Sequence, residues 1–444
     1  MKNKYWQLAL MLFFIIGVGF AIIQNKSSVQ NQKSKSYPLL PRAGNNNLAE
    51  WQMAKNNTDL LIEKLKAKPN DTKTALALAN AYIIESRISG NNTYYDMAAL
   101  KIIKNIIATE PANYQALLLQ SLIQLSQHHF AEALSTATKV IAIDSNSAFL
   151  YGVLLDANVE MGNYEAAVAA ADQMVSIRPD LRSYSRIAYL REIHGDYFGA
   201  INAMQLAVKA GIPAEETTEW CRIQLGRLYE NIGAIEKARF QYALSLAARP
   251  GYAYALAGLG RIASFEKKYD SAIVYYEQAS QSITDLGIKE KLAAAYFNAG
   301  QTEKSILLNQ RLVAEMKMAD KNLKDNPDAG HYSDKEQAYV YLQQNNLDMA
   351  LAHALAEYNR RPKNIDVNET LAWVYYNRNE FKNALPFVDA ALITGSRNPQ
   401  LLCIAGLVYT KTGNEEKGKN FIASALKNKP ILSEDILKEI ETLK

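Results

Sequence analysis

The chain has 444 residues, of which 49% are hydrophobic and 21% charged, and its formal net charge is +4. This composition is that of a globular protein and excludes a disordered chain, while the near balance of charges argues against a nucleic-acid-binding protein, which would show a clustered basic excess. The length exceeds that of a usual single domain, so several domains or an extended repeat are expected.

Residues 1–23 predict a signal anchor or a signal peptide. Lys2 and Lys4 precede an unbroken apolar run over residues 8–23. A helix of that run spans about 24 Å, shorter than the roughly 30 Å hydrocarbon core but longer than the apolar region of a typical signal peptide. We expect an uncleaved membrane anchor with the body of the chain exported, on the periplasmic or cell-envelope side. The alternative is a protein secreted after cleavage near Ala21.

Residues 24–47 predict a flexible linker. The segment is polar and basic and contains no acidic residue. Segments of this composition behave as flexible spacers, so we expect it to connect the anchor to the folded body.

A small residue recurs through most of the chain at a nearly constant interval. Seven of the nine intervals are 33 or 34 residues, and the other two are 38 and 45. Such an interval indicates a repeat architecture in which each unit is one supersecondary structure. The ten positions are Ala99, Ala133, Ala167, Ala200, Ala238, Ala272, Ser305, Ala350, Ala384 and Gly418.

Other residue types recur at fixed distances from this small residue. A second small residue stands twelve positions earlier in eight of the units, and a tyrosine stands nine positions earlier in five of them. A proline stands twelve positions later in five units, where it would end a helix because it cannot donate a backbone hydrogen bond. Between these positions the apolar residues recur at helical spacing.

This pattern resembles the tetratricopeptide repeat, which forms two antiparallel helices. The resemblance runs from about residue 72 to residue 430, and "IQLGRLYENIGAIEKARFQYALSLAARP" carries it clearly. It implies an all-α fold, a right-handed superhelical solenoid of about ten helical hairpins with a terminal capping helix. Small residues would let the paired helices approach closely, and the tyrosines would fill the gaps between hairpins with their hydroxyl groups at the edge.

The spacing divides the array into two parts. We expect an N-terminal array over residues 48–318, an interruption over 319–332 where the interval reaches 45 residues, and a C-terminal array over 333–444. The interruption is charged and contains an Asn-Pro-Asp sequence and Gly330, which indicates a bend or a break in the spiral. The last twelve residues carry acids early and a lysine last, as suits a polar capping helix.

The chain shows no catalytic pattern. It lacks a phosphate-binding glycine-rich loop, a nucleophile elbow and a zinc-protease motif, and Cys221 and Cys403 read as unpaired buried thiols. His128 and His129 are adjacent but have no acid or cysteine at ligand spacing, so no metal site is expected. We therefore expect a protein that is not an enzyme and that needs no cofactor.

The resemblance also implies a concave face, lined by the first helices of successive units, where extended peptides or partner helices bind. Arginine and aromatic residues dominate binding hot spots, and arginine can hold a carboxylate bidentately. We hypothesise a patch that binds an acidic or extended protein segment, and the alternative is a solvated face whose arginines pair with neighbouring glutamates. Helical phase selects Arg182, Arg186, Tyr189, Trp220, Gln224, Arg227, Tyr254 and Arg261.

The sequence favours a membrane-tethered, non-enzymatic scaffold that binds protein or peptide partners and is held at the membrane through residues 8–23. One alternative is a structural accessory subunit of a cell-envelope complex, without peptide-specific recognition. Another is a cleaved, secreted protein that binds carbohydrate or nutrients. Because repeat arrays share a fold across unrelated functions, the pattern specifies neither the partner nor the oligomeric state.

Overall fold

The computed structural model describes residues 37–44, 48–326, 328, 330 and 332–443. Within these residues the chain forms 22 α-helices and no strand, which confirms the predicted all-α class. Twenty of the helices form ten hairpins, numbered 1–10 in chain order. Helix α1 (Leu48–Ala67) precedes them and α22 (Glu434–Glu441) follows them.

Each hairpin consists of two helices that pack against each other more extensively than against any other helix. The first helices are α2 (Thr72–Ser89), α4 (Tyr114–Ser126), α6 (Ala148–Glu160), α8 (Leu181–Ile193), α10 (Glu216–Asn231), α12 (Ala253–Phe265), α14 (Leu286–Asn298), α16 (Asp334–Gln343), α18 (Ile365–Asn377) and α20 (Pro399–Lys411). The second helices are α3 (Asn92–Thr109), α5 (Phe130–Ile141), α7 (Tyr164–Ile177), α9 (Tyr197–Ala210), α11 (Ile235–Ala248), α13 (Tyr269–Ser282), α15 (Thr302–Asp325), α17 (Leu347–Arg360), α19 (Phe381–Ala391) and α21 (Glu415–Leu426).

The recurrent small residues lie where the helices of a hairpin meet. All ten positions are buried, and Ala167, for example, exposes none of its surface. Small side chains let the backbones approach closely, so the surrounding apolar groups can reach the packing density of a protein interior. Three of the five recurrent tyrosines, Tyr229, Tyr296 and Tyr409, bond to the preceding hairpin as predicted, whereas the rings of Tyr341 and Tyr375 stack on side chains of their own hairpins. Tyr296 donates to Glu277 of the preceding hairpin at 2.5 Å, and Tyr229 accepts from Gln205 at 3.1 Å.

The helix ends follow local sequence signals. At the start of α8, the Asp180 carboxylate accepts from the Ser183 N–H, and the Ser183 hydroxyl accepts from the Asp180 N–H. At the other end of the hairpins, Pro179 and Pro250 stand two residues after α7 and α11. Proline restricts the residue before it and lacks an amide hydrogen, which stops the helix there.

Consecutive turns of the superhelix touch each other. The interhelix turns of hairpins 3, 4 and 5 meet the connections that follow hairpins 8, 9 and 10. Each contact is made by a glycine with positive φ. A Cβ added to Gly195 would lie 2.6 Å from the Gly395 carbonyl oxygen. A Cβ added to Gly233 would overlap the carbonyl oxygen of Asn428. These glycines therefore supply the left-handed turn and the space for the neighbouring superhelical turn.

Hydrogen bonds join the two turns beside the glycine of hairpin 3. The Asn364 side-chain amide donates to the carbonyl oxygens of Val159 and Glu160 at 3.3 and 3.1 Å. The Ile365 N–H donates to the Tyr164 hydroxyl at 2.8 Å, across a sequence separation of 201 residues. The array is therefore wound tightly enough that hairpin 3 rests against the connection between hairpins 8 and 9.

Helix α15 continues into the segment predicted as an interruption and ends only at Asp325, because its sequence holds no helix breaker before Asn326-Pro327. The described residues that follow contact the preceding superhelical turn. The Gln127 side chain donates to the Asp328 carbonyl oxygen at 2.9 Å, and the Tyr332 N–H donates to the Gln127 carbonyl oxygen at 3.1 Å. The long interval therefore extends a helix and a connection, and the first helices of hairpins 7 and 8 still contact each other.

No helix in the described part of the chain has the length and apolar character needed to cross a membrane. The predicted anchor at residues 8–23 lies outside the described residues, as does most of the predicted linker. The part of the linker that the structure describes, residues 37–44, contacts the first hairpin.

Candidate partner-binding surface

The first helices of the ten hairpins form the inner layer of the superhelix. Each contacts the first helix of the next hairpin, whereas each second helix packs against the first helices of its own and the following hairpin. Closer spacing of the first helices is what a curved stack produces on its inner side. We call the exposed surface of these first helices the inner face. All eight residues selected from helical phase lie on α8, α10 and α12, within this layer.

Two of the selected arginines form ion pairs between neighbouring hairpins. Arg186 binds the Asp156 carboxylate through Nε and Nη2, at 2.9 and 2.6 Å. Arg261 binds Glu230 at 3.1 Å through the same two nitrogens, and Nη2 also donates to the Tyr242 hydroxyl at 3.1 Å. In both pairs an acid near the end of one first helix meets an arginine on the next. These guanidinium groups therefore hold the inner layer together.

Arg227 lies between these two pairs and differs from both arginines. It is exposed and forms no ion pair with the part of the chain that the structure describes. Burial raises the pKa of Glu192, and the charge of Arg227 opposes that rise without a direct bond. Instead, Glu192 accepts from the Asn231 side-chain amide at 3.0 Å. The five donors of Arg227 are therefore available to a carboxylate brought by a partner.

Aromatic side chains stand near the arginines on the same face. The rings of Trp220 and Tyr254 meet edge to face, with centroids 5.1 Å apart, and join α10 to α12. The exposed Arg182 guanidinium lies 5.4 Å from the centre of the Phe149 ring. Tyr189 keeps 37% of its surface exposed. These side chains combine apolar area with polar groups, a composition typical of binding surfaces.

Gln224 stands half-buried between Trp220 and Arg227 on α10, and no contact distinguishes it from an ordinary half-buried side chain. The structure therefore brings Trp220 and Tyr254 together, and it joins Arg182 to Arg186, whose Nη1 donates to the Arg182 carbonyl oxygen at 3.3 Å. The guanidinium groups of Arg186, Arg227 and Arg261 do not form one cluster of unpaired positive charge, because the first and the last are paired with acids.

Hairpin 9 brings an acidic surface to the same interior. Asp366 and Glu369 lie one turn apart on α18, and Lys335 Nζ is 3.5 Å from the Asp366 carboxylate. Burial raises the pKa of Glu369 to about 7, and Asp366 adds to the effect. Ile365 at the start of α18 belongs to the same core cluster as Leu190 and Ile193 of α8, and the Thr394 hydroxyl after α19 donates to the Ile193 carbonyl oxygen at 2.6 Å, so hairpin 9 lies against hairpin 4. Sequence reasoning missed this acidic side because it meets hairpin 4 only through the winding of the superhelix.

The described end of the predicted linker, residues 37–44, lies against hairpin 1 and forms neither helix nor strand. Three tyrosine hydroxyls bind its backbone: Tyr82 donates to the residue 37 carbonyl at 2.6 Å, Tyr94 donates to the residue 38 carbonyl at 3.0 Å, and Tyr95 accepts from the residue 40 N–H at 2.9 Å. The Trp51 indole donates to the residue 40 carbonyl at 3.0 Å. We call the surface formed by Trp51, Tyr82, Glu85, Tyr94 and Tyr95 the tyrosine groove.

The part of the chain that the structure describes holds no group of three or more His, Cys, Asp or Glu side chains arranged to bind a metal ion. Both cysteines are buried and unpaired, as predicted. Burial raises the pKa of the Cys221 thiol to about 11 and that of Cys403 to about 12, so both are protonated at neutral pH. A protonated thiol is a weak nucleophile, and these two side chains act as apolar groups in the core.

Comparison with known proteins identifies one hairpin by sequence. Residues 253–282, which form hairpin 6, match the family model described as "Tetratricopeptide repeat". No curated protein matches the sequence.

Solved structures that align with the chain share little sequence with it. Human IFIT1, solved as a dimer with PPP-AAAA, is 15% identical, with a TM-score of 0.44, 86% of this chain covered and 89% of that one. The tetratricopeptide protein TTC0263 of Thermus thermophilus is 19% identical, with a TM-score of 0.36 and coverages of 47% and 98%. The Cut9–Hcn1 hetero-tetramer of APC/C is 14% identical, with a TM-score of 0.38, and the alignment covers 88% of this chain but only 66% of that one.

The fold assignment rests on the helices and contacts of the chain itself. Ten hairpins follow one another in the described residues, each with small residues at the helix contact, and the first helices form a continuous inner layer. The described part of the chain is therefore an all-α superhelical solenoid of ten helical hairpins, of which the sixth matches the tetratricopeptide repeat in sequence.

Proposed function

We propose that the chain is a non-enzymatic scaffold that binds a protein or peptide partner on the inner face of hairpins 4–6. The observation that carries this proposal is Arg227, an exposed arginine without an ion pair among the described residues, on a face where Arg186 and Arg261 are already paired. A free guanidinium on a concave surface offers two parallel hydrogen bonds to a carboxylate. The neighbouring Trp220 and Tyr254 offer apolar area for the segment that carries it.

The paired arginines support this role by fixing the surface in advance. The Arg186–Asp156 and Arg261–Glu230 pairs join successive first helices, so the inner face need not be ordered when a partner binds. A preorganised surface loses less side-chain and backbone freedom on binding, which leaves more of the contact energy as affinity. The acidic side on hairpin 9 would repel a uniformly acidic partner. We therefore expect a segment with a carboxylate facing Arg227 and basic or neutral groups facing α18.

We also propose that residues 8–23 tether the array to a membrane, with its body exported. Support for this comes from the sequence, which places two lysines before an unbroken apolar run. A tethered array would act as a docking platform at the membrane surface, so partners should be sought in native membranes.

We expect Arg227→Glu to reduce partner capture about tenfold or more, the effect of losing a central binding residue. The measurement is affinity purification of the crosslinked full-length chain from native membranes, with partner recovery quantified by mass spectrometry. Thermal unfolding should change little, because Arg227 forms no ion pair among the described residues and acts on Glu192 only through its charge.

Arg311→Glu provides the matched control. This arginine is also exposed but lies on α15, a second helix outside the inner layer. Both variants change the net charge equally, so a non-specific charge effect would appear in both. Equal recovery with Arg227→Glu and the wild type would contradict inner-face binding and favour a purely structural array.

A further inference from the structure

Two side chains of segment 37–44 are almost fully buried in the tyrosine groove. Leu39 exposes 4% of its surface and belongs to the core of hairpin 1. Arg42 exposes 2% of its side chain and binds Glu85 bidentately, through Nε at 2.7 Å and Nη2 at 2.8 Å. Glu85 is equally buried, at 2%. The segment is therefore held by one apolar anchor and one enclosed ion pair.

The spacing of these anchors matches an extended proline-type helix. Leu39 and Arg42 are three residues apart and point inward, while Pro38 and Pro41 are exposed. Polyproline II has three residues per turn, so positions i and i+3 face the same side. Because proline restricts the free chain to similar conformations, such a segment loses little entropy when it binds.

The groove separates general contacts from specific ones. The four bonds from the tyrosines and Trp51 go to backbone atoms and would form with many sequences. Two contacts instead depend on the side chain of the bound segment: the apolar surface that covers Leu39 selects leucine, and the Glu85 carboxylate selects arginine. Together these features are those of a peptide-recognition site, with backbone bonds for affinity and two pockets for specificity.

We propose that the tyrosine groove is a peptide-binding site for extended, proline-flanked segments with leucine and arginine three residues apart, which residues 37–44 occupy in cis. The resident segment competes with any such segment presented in trans. The short connection to α1 keeps it at an effective concentration in the millimolar range. This site is separate from the inner face of hairpins 4–6 and does not rest on the proposed function.

The arginine bound in the groove is also linked, through Glu50, to the next turn of the superhelix. Arg42 Nη1 donates to Glu50 at 2.8 Å, and the other oxygen of Glu50 accepts from Arg249 at 2.6 Å. Arg249 follows α11, in hairpin 5. An arginine in the groove therefore helps to fix the carboxylate that joins α1 to hairpin 5.

Peptide binding to a vacated groove tests this proposal. The full-length chain in detergent, carrying Leu39→Ala together with Arg42→Ala, is titrated into a fluorescein-labelled peptide of sequence SYPLLPRAG, and fluorescence anisotropy is recorded. We expect saturable binding to this variant and binding at least about tenfold weaker to the wild type, whose groove is filled. A control peptide with alanine at both anchor positions should bind at least about tenfold more weakly to the variant.

A second variant keeps the test decisive if the double variant does not fold. Leu39→Ala alone removes the apolar anchor and retains the Arg42–Glu85 pair, and its circular dichroism is compared with that of the wild type before titration. A folded variant that binds the peptide no more tightly than the wild type, or that binds both peptides equally, would overturn the proposal. Arg227→Glu should leave peptide binding unchanged, which separates this result from the inner-face experiment.

Discussion

Replacing Arg361 with methionine is expected to lower the free energy of unfolding by about 3–5 kcal/mol, as for other buried ion pairs that lose one partner. Arg361 exposes 7% of its side chain and binds Glu357 of its own hairpin and Glu160 of hairpin 3. Its guanidinium also lies 4.6 Å from the centre of the Phe130 ring. Without Arg361, the Glu357 side chain, which is only 5% exposed, keeps just one of its two arginine partners.

The loss should separate the superhelical turns as well as destabilise them. Arg361 adjoins Asn364 and Ile365, whose bonds to hairpin 3 depend on the same alignment. We expect hairpins 8–10 to show faster amide hydrogen exchange and the midpoint of thermal unfolding to fall. Lys419→Met is the control, because Lys419 pairs with Glu415 on the surface and both are about 70% exposed. Equal stability of the two variants would contradict the role assigned to Arg361.

Gly233→Ala is expected to have the second large effect. A Cβ at this position would overlap the Asn428 carbonyl oxygen, so one of the two superhelical turns must move. The left-handed backbone, with φ at 73°, adds a penalty of about 1–2 kcal/mol for any residue with a side chain. Urea unfolding followed by circular dichroism measures the sum of these effects.

Gly300→Ala isolates the contact between turns from the backbone penalty. Gly300 has a φ of 76°, and a Cβ added there meets no atom within 4 Å. Both substitutions therefore carry a similar conformational penalty, and only Gly233→Ala meets a neighbouring turn. We expect Gly233→Ala to lose clearly more stability than Gly300→Ala. Equal losses would mean that hairpin 5 does not touch the residues after hairpin 10.

The hairpins could be predicted because their causes are local. A small residue at each helix contact, apolar residues at helical spacing and a proline after the second helix all lie within one 34-residue unit. Ala167 and the nine equivalent residues are buried as expected. Position 233 shows the limit of that reasoning. The left-handed turn at Gly233 is a local property of glycine, but its contact with Asn428 depends on how five further hairpins are stacked.

The inner-face residues show the same division. Helical phase placed Arg186 and Arg261 on first helices, which follows from sequence alone. Their carboxylate partners, Asp156 and Glu230, stand 30 and 31 residues earlier, about one repeat away, so this pairing was foreseen as the alternative to a free patch. The facing Asp366 was not foreseen, because nothing local in the sequence shows that hairpins 4 and 9 share an interior.

The contacts of segment 37–44 were not predicted, because the linker prediction rested on the overall composition of residues 24–47. The predicted linker is polar and basic as a whole, yet its last part contains Tyr-Pro-Leu-Leu-Pro-Arg, with two leucines between prolines. A Pro-x-x-Pro pattern with an apolar and a basic residue three apart was the available signal. Glu85, the partner of Arg42, lies on helix α2, and nothing in the sequence of that helix indicates that Glu85 binds an arginine from the linker.

Carbodiimide crosslinking of the full-length chain tests the tightly wound superhelix most directly. The reagent joins amines to carboxylates in direct contact, and Lys104 forms an ion pair with Asp328 across 224 residues, with both side chains about half exposed. Lys289 and Glu315, within hairpin 7, provide the local control. We predict that mass spectrometry of the monomeric band finds both crosslinks and that Arg361→Met loses only the long-range one. Recovery of the Lys289 crosslink without the Lys104 crosslink in the wild type would contradict contact between the superhelical turns.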